Sequence, residues 1–125
     1  MVQVHHVTAS REGLEGKRTA AGVIITRHAV FAALPSTDAL WRVISICYSD
    51  QVLQVPILDT GPWFTDDAYW QHNPPRPKAM THQGEMVGDL KCNGAGIDLS
   101  DGLIRRMGVD PDVWGLRKVI WWGLS

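Results

Sequence analysis

Leu58-Asp59-Thr60-Gly61-Pro62-Trp63 and Gly96-Ile97-Asp98-Leu99-Ser100 are the stretches on which the fold turns. In each, an apolar, strand-like run ends in a single acid and then changes direction sharply. The run ahead of Asp59, from Val52 to Leu58, reads as a strand. Outward from there, Val2, Val4 and His6 alternate with Gln3, His5 and Val7, a period of two. Val23-Ile24-Ile25-Thr26, Leu40 to Ile46 and Leu116 to Trp122 are further strand-like runs. Short strands between turn residues predict a mainly β fold, a small closed or nearly closed barrel. One short helix is expected. Ser100 is a good N-cap for Asp101 to Met107, Leu103 and Met107 share a stripe, and Gly108 supplies the stop.

With 125 residues, 45% of them hydrophobic and 20% charged, the chain reads as one globular domain over residues 1–125. Twelve basic against 13 acidic residues leave a formal charge of -1, which argues against a general nucleic-acid partner. No apolar run approaches the roughly 18 residues of a membrane span. The opening Met1 to Val7 shows no basic segment followed by an apolar one, so no export signal is read there. Cys47 and Cys92 could pair or stay free, and sequence spacing leaves both states open. His5, His6, His72 and His82 lack zinc-ligand spacing, so no metal is expected. Nor is there a phosphate-binding glycine loop or a nucleophile elbow, and no cofactor is expected.

The segment from Gly61 to Gly96 is too long for an ordinary connection and carries Asn73-Pro74-Pro75-Arg76-Pro77, which suits neither ladder nor helix. Its first half is aromatic: Trp63, Phe64, Tyr69 and Trp70. It reads as an ordered insertion, about residues 64–96, running over one rim of the barrel. These rings either stack on sugars or form a small satellite core. Of the four, Tyr69 and Trp70 are favoured as surface contacts and Trp63 as structural. Trp121 and Trp122 face opposite sides of the last strand, so one of them belongs to the core.

An acid at a strand end among apolar neighbours is poorly solvated, so its pKa rises and it can hold a proton near neutral pH. Two such acids on neighbouring strands are the minimal equipment for breaking a glycosidic bond. Alone, Asp59 and Asp98 each read at least as well as turn or helix caps. Asp59-Thr60-Gly61 also spells the aspartic-protease triplet, but Pro62-Trp63 follows where that class needs a small residue.

Four patches occur in order: Thr19-Ala20-Ala21-Gly22-Val23, Ala32-Ala33-Leu34-Pro35, Asp59-Thr60-Gly61-Pro62-Trp63 and Ile97-Asp98-Leu99-Ser100. Together they resemble the rare-lipoprotein-A-like septal lytic transglycosylases, which share a double-psi β-barrel with expansins and family 45 endoglucanases. The resemblance runs from about Ala9 to Trp122. It implies a six-stranded double-psi barrel, here with one short helix and with a long inserted loop where the family has a short turn. It also implies a cleft for peptidoglycan glycan strands, with Asp98 as acid/base and Asp59 as its partner. Thr19, His28, Trp63, Tyr69 and Trp70 are the substrate-binding candidates. The chain departs from the family in three places: Ala32-Ala33 run straight into Leu34-Pro35 without the family's histidine, Thr60 replaces a frequent arginine, and the excursion between the two acidic segments is much longer than the family's turn. The implied activity is a lytic transglycosylase forming 1,6-anhydro-muramyl ends. The alternative is a non-catalytic wall-glycan-binding or phage tail/envelope assembly module on the same fold. The implied setting is the cell envelope, the extracellular space or a phage particle.

Overall fold

The computed structural model describes residues 3–124, so Val2 of the expected first strand lies outside the described residues. Eight strands form among them: β1 Val4–Arg11, β2 Ala32–Leu34, β3 Val43–Tyr48, β4 Gln51–Thr60, β5 Met86–Val87, β6 Leu90–Lys91, β7 Ile97–Leu99 and β8 Leu116–Trp122. Six of them close into a barrel in the order β1-β7-β2-β4-β3-β8, with mixed parallel and antiparallel pairs. The fold is mainly β, a six-stranded mixed barrel. Closure removes the open edges that strands as short as β2 and β7 would leave unpaired.

Two short helices accompany the barrel, α1 Lys78–Thr81 and α2 Asp101–Arg106, where the sequence predicts only the second. The Ser100 hydroxyl caps α2 by accepting from Leu103 N at 3.2 Å. The same hydroxyl accepts from Phe31 N and donates to the Ala29 carbonyl, tying the helix start to the segment before β2. Gly102 lets that segment lie close: a Cβ there would stand 2.3 Å from the Ala29 carbonyl oxygen.

The strand expected over Val23–Thr26 does not form. Residues 16–25 fold back on themselves through Gly16 N to Ile25 O and Ile25 N to Lys17 O, and the β-branched run serves only to bury Ile25. The third strand starts later than expected, at Val43, because Trp41 turns the chain at φ 68°. Neither cysteine is paired: Cys92 is buried and Cys47 partly so, and both are free thiols.

Within the inserted segment the aromatic side chains go inward. Tyr69 and Trp70 are buried, and both join the main core with Trp121, Trp114, Ile97 and Leu99. The Tyr69 hydroxyl donates to the Gly96 carbonyl at 2.8 Å and accepts from Trp121 Nε1 at 2.9 Å. Strands this short leave interior volume, and a chain turn at Tyr69–Gln71 supplies the rings that fill it. The inserted segment is therefore part of the core as well as a cover over the rim. Trp121 is the inward member of the C-terminal pair, and Trp122 is partly exposed.

Candidate functional site: a row of acids on the outer face of the barrel

Register decides which side chains meet. β1 pairs with β7 through Ser10 and Asp98, β7 with β2 through Asp98 and Ala33, and β2 with β4 through Ala33 and Asp59. Partners across a ladder share a face, so Ser10, Asp98, Ala33 and Asp59 form one row across four strands. Their sequence neighbours Ala9, Ile97, Leu99, Ala32 and Leu34 point the other way, into the core. Alternation along β7 alone puts Asp98 outside. Asp59 needs more: Ala32 pairs with Ile57 but Ala33 with Asp59, a bulge that skips Leu58 and turns the acid into the row.

The helix-cap reading of Asp98 fails, since Ser100 performs that task. The Asp98 carboxyl instead accepts a hydrogen bond from the Ser10 hydroxyl. Burial pushes it up to about 7; the Ser10 bond pulls it down and the charge of Asp59 adds a further upward push. Gly61 closes over it at φ 144°, and a Cβ there would lie 3.2 Å from Asp98 Oδ2. Asp59 is held differently. One of its oxygens accepts from Ala20 N at 2.8 Å and Thr60 N at 2.9 Å, so it fastens the 19–23 turn to the end of β4. For Asp59 the turn reading holds in part, and its contribution to the row is a fixed charge.

The sequence reading passes over a third acid. Glu12 lies two residues beyond Ser10, on the same side of the chain, and burial drives its carboxyl up to about 9, reinforced by the charges of Asp59 and Asp98 and by a hydrogen bond with Asp59. Its Oε2 is buried without a protein hydrogen-bond partner. The one sequence cue is its position, an acid between the end of β1 and the Gly13 turn. Among the described residues no cation offsets the cluster. Arg11, next in sequence, is drawn away to Asp101 at 2.7 Å and Asp112 at 3.0 Å. Among the described residues no group of three or more His, Cys, Asp or Glu converges in a metal-holding arrangement.

Asp98 opens into a groove of about 260 Å³ lined by Ser10, Arg11, Pro62, Trp63, Leu90 and Asn93. That falls just below the roughly 300–1,000 Å³ of pockets that engulf a small molecule, as suits a trough crossed by a strand. Trp63 is held at φ 65° with its indole N–H donating 2.7 Å to Asn93 Oδ1. A bulky residue in that backbone region is strained, and the Asn93 hydrogen bond holds the ring at the groove. A larger recess, about 540 Å³, lies around His6, Cys47, Tyr48, Asp50 and Lys118 and holds none of the row. Size alone does not locate the chemistry.

Of the other candidates, none but Trp63 reaches the groove. Tyr69 and Trp70 are 0% and 3% exposed, so neither can stack on a sugar; core filling outweighs surface display for both. Thr19 is buried, and its hydroxyl accepts from Val23 N at 3.1 Å inside a turn. His28 is exposed beside Arg105 and Arg106 in a separate recess.

Fold and site together define a small expansin-like β-barrel with one buried acid, Asp98, opening into a surface groove. Residues 3–86 match the model of a domain of unknown function, DUF8814, and the chain belongs to that family. The Streptomyces papain inhibitor superposes with TM-score 0.58 at 15% identity, covering 98% of this chain and 96% of the inhibitor. A point mutant of the Clavibacter michiganensis expansin, in complex with cellohexaose, superposes with TM-score 0.52 at 13% identity. That match covers 95% of this chain and 49% of the expansin, so the chain spans about half its length. At these identities the likeness is one of fold. No curated protein matches the sequence. No helix among the described residues is long and apolar enough to cross a membrane.

Proposed function

We propose that the protein cleaves glycan strands of peptidoglycan, with Asp98 as general acid and then base. One observation carries this reading: a carboxyl pushed up to about 7 at the floor of a groove walled by Trp63. Near neutral pH such a group is divided between its two forms, the condition under which one residue can both give and take a proton. Asp98 protonates the glycosidic oxygen, and the C1–O bond breaks as that oxygen leaves. The muramyl 6-hydroxyl attacks C1 and its proton returns to Asp98, closing a 1,6-anhydro ring without water. Burial holds the proton on Asp98, and the negative charge of Asp59, fixed by two backbone donors, adds to that and offsets positive charge developing on the sugar. Peptidoglycan in the cell envelope, or reached from a larger envelope or phage tail assembly, is the proposed setting.

A second reading is glycan binding without cleavage. It is favoured by the shared barrel of the expansin solved with cellohexaose. Purified sacculi separate the two. Release of anhydro-muropeptides that disappears in Asp98→Asn supports cleavage by transglycosylation, whereas ordinary reducing ends indicate hydrolysis. Sedimentation with sacculi and no release from wild type leaves binding alone. Inhibition of papain with no affinity for sacculi would overturn both.

A further inference from the structure

We propose that the large recess beyond the groove is a second subsite, which takes the stem peptide of the muramyl sugar by its carboxylate and its free amine. The inference rests on the groove being the glycan site and adds where the peptide of the same strand lies. Register sets the layout. Along β1, Ser10, Thr8 and His6 face outward opposite Leu116, Lys118 and Ile120 of β8, while Val7 and Ala9 between them face the core. Ile120 stands in turn opposite Cys47 of β3. Three hollows follow one another over this outer face. The groove of Asp98 shares Asn93 with a recess of about 250 Å³ beside Thr8, and that recess shares Lys118 with the one of about 540 Å³ over His6, Ile120 and Cys47. His6 precedes Ser10 by four residues of β1, roughly 14 Å at the rise of a strand. A peptide of four extended residues spans about the same length.

The large recess has an apolar floor and two walls of opposite charge. Ile120 and Cys47 are half-buried and form the floor, which suits the small side chains of a peptide. Lys118 lines the recess on the side of β8. Asp50 lines it from the Ser49-Asp50 turn between β3 and β4, a two-residue hairpin whose central residues take φ 49° and 66°. Among the described residues neither Lys118 nor Asp50 enters an ion pair, with the other or with any third group. A neutral sugar would leave both charges as they are. A peptide that carries a carboxylate and an amine matches them both, the carboxylate at Lys118 and the amine at Asp50. The groove offers no such match, since its cation Arg11 is held by Asp101 and Asp112. Sugar and peptide are thus sorted by charge: the ring lies by Trp63 and Asp98, and the stem runs along β1 and β8 to the recess.

Removing the stems tests this. Sedimentation would be measured with intact sacculi and with sacculi stripped of their stem peptides by an amidase, for wild type, Lys118→Met and Asp50→Asn. Methionine keeps much of the apolar length of lysine, and asparagine tolerates the left-handed turn position, so both variants should fold. Wild type should bind intact sacculi about tenfold more tightly than stripped ones. Both side chains are exposed, so each variant should lower that ratio by roughly two- to fivefold. The sign for Asp50→Asn is decisive: general attraction to a polyanion would strengthen binding when an acid is removed, whereas the subsite predicts weakening. Stronger binding by Asp50→Asn therefore overturns the subsite. Equal binding of the two kinds of sacculi by wild type overturns it too, and leaves the glycan reading standing. A preference that neither variant alters also overturns it, because the stem would then be held elsewhere. A wild type that binds neither preparation removes the glycan reading, and the subsite with it.

Discussion

Two of the places where the barrel buries polar atoms are treated in opposite ways. At the aromatic plug, the Tyr69 hydroxyl, Trp121 Nε1 and His5 Nε2 all have partners within 2.9 Å, and of these three side chains only His5 leaves an atom, Nδ1, without one. Along the acid row, Glu12, Asp59 and Asp98 crowd one another with no cation among the described residues to offset them. Matched polar groups contribute to stability, and mismatched carboxyls cost stability. The difference teaches where to look for function: a fold tolerates such a cost at sites that act on something else. Substitutions in the two regions should therefore have opposite signs on stability.

The largest effect should come from Asp98→Asn. Release of anhydro-muropeptides should fall by roughly 10²–10⁴-fold, the usual contribution of a positioned acid, while sedimentation with sacculi persists. Melting at pH 8 should be unchanged or higher, since a buried acid has been removed. Loss of folding with loss of activity would break the contrast between the regions. Next is Tyr69→Phe, which strands Trp121 Nε1 and the Gly96 carbonyl inside the plug. It should cost about 1–3 kcal/mol in urea unfolding. A neutral result would show that the plug is held by ring packing alone.

Glu12→Gln should move stability the other way. Its native carboxyl sits above the unfolded value, so the wild type is at no disadvantage below about 4.5 and loses ground as pH rises through about 9. The variant should be more stable at pH 8 by roughly 2 kcal/mol, a figure reduced for the partial exposure of the residue. Equal stability of the two proteins across that range would mean that the carboxyl is not confined. The smallest effect belongs to His5, whose imidazole burial holds below its ordinary value of 6.5, the Leu124 bond opposing and the His6 charge adding. A base so lowered favours folding above 6.5 and loses that contribution as pH falls through its native value. Acid unfolding of wild type should therefore begin at higher pH than that of His5→Phe, which has no imidazole to protonate.

Much of the barrel was legible because its cues are local. The alternation of Leu116 to Trp122 and the Ser100 cap appear in the structure where the sequence places them, while Asp59 and Asp98 each lie one residue inside the end of a strand. Errors arose where tertiary packing overrode a local signal. Val23–Thr26 looked like a strand but folds back on residues 16–19, pairing through a single bridge between Arg18 and Ile24 and never joining the barrel. Tyr69 and Trp70 looked like a binding surface, yet the barrel needed their volume. Glu12 went unread because its chemistry depends on burial and then on Asp59 and Asp98, which lie far along the chain. A pKa is set by neighbours in space, and no window of sequence contains all three acids.

The skipped residue Leu58 bears on how such a site can be gained or lost. Asp59 enters the acid row through one irregular step in the pairing of β2 with β4. Were the ladder regular, Leu58 would stand opposite Ala33, and the trough would present a hydrocarbon where it now presents a charge. Closing up that irregular step with every residue kept would silence the row while every acidic codon remained intact. The side to which Asp59 points is thus set by a step in the pairing, and an inventory of which acids are present would miss a change there.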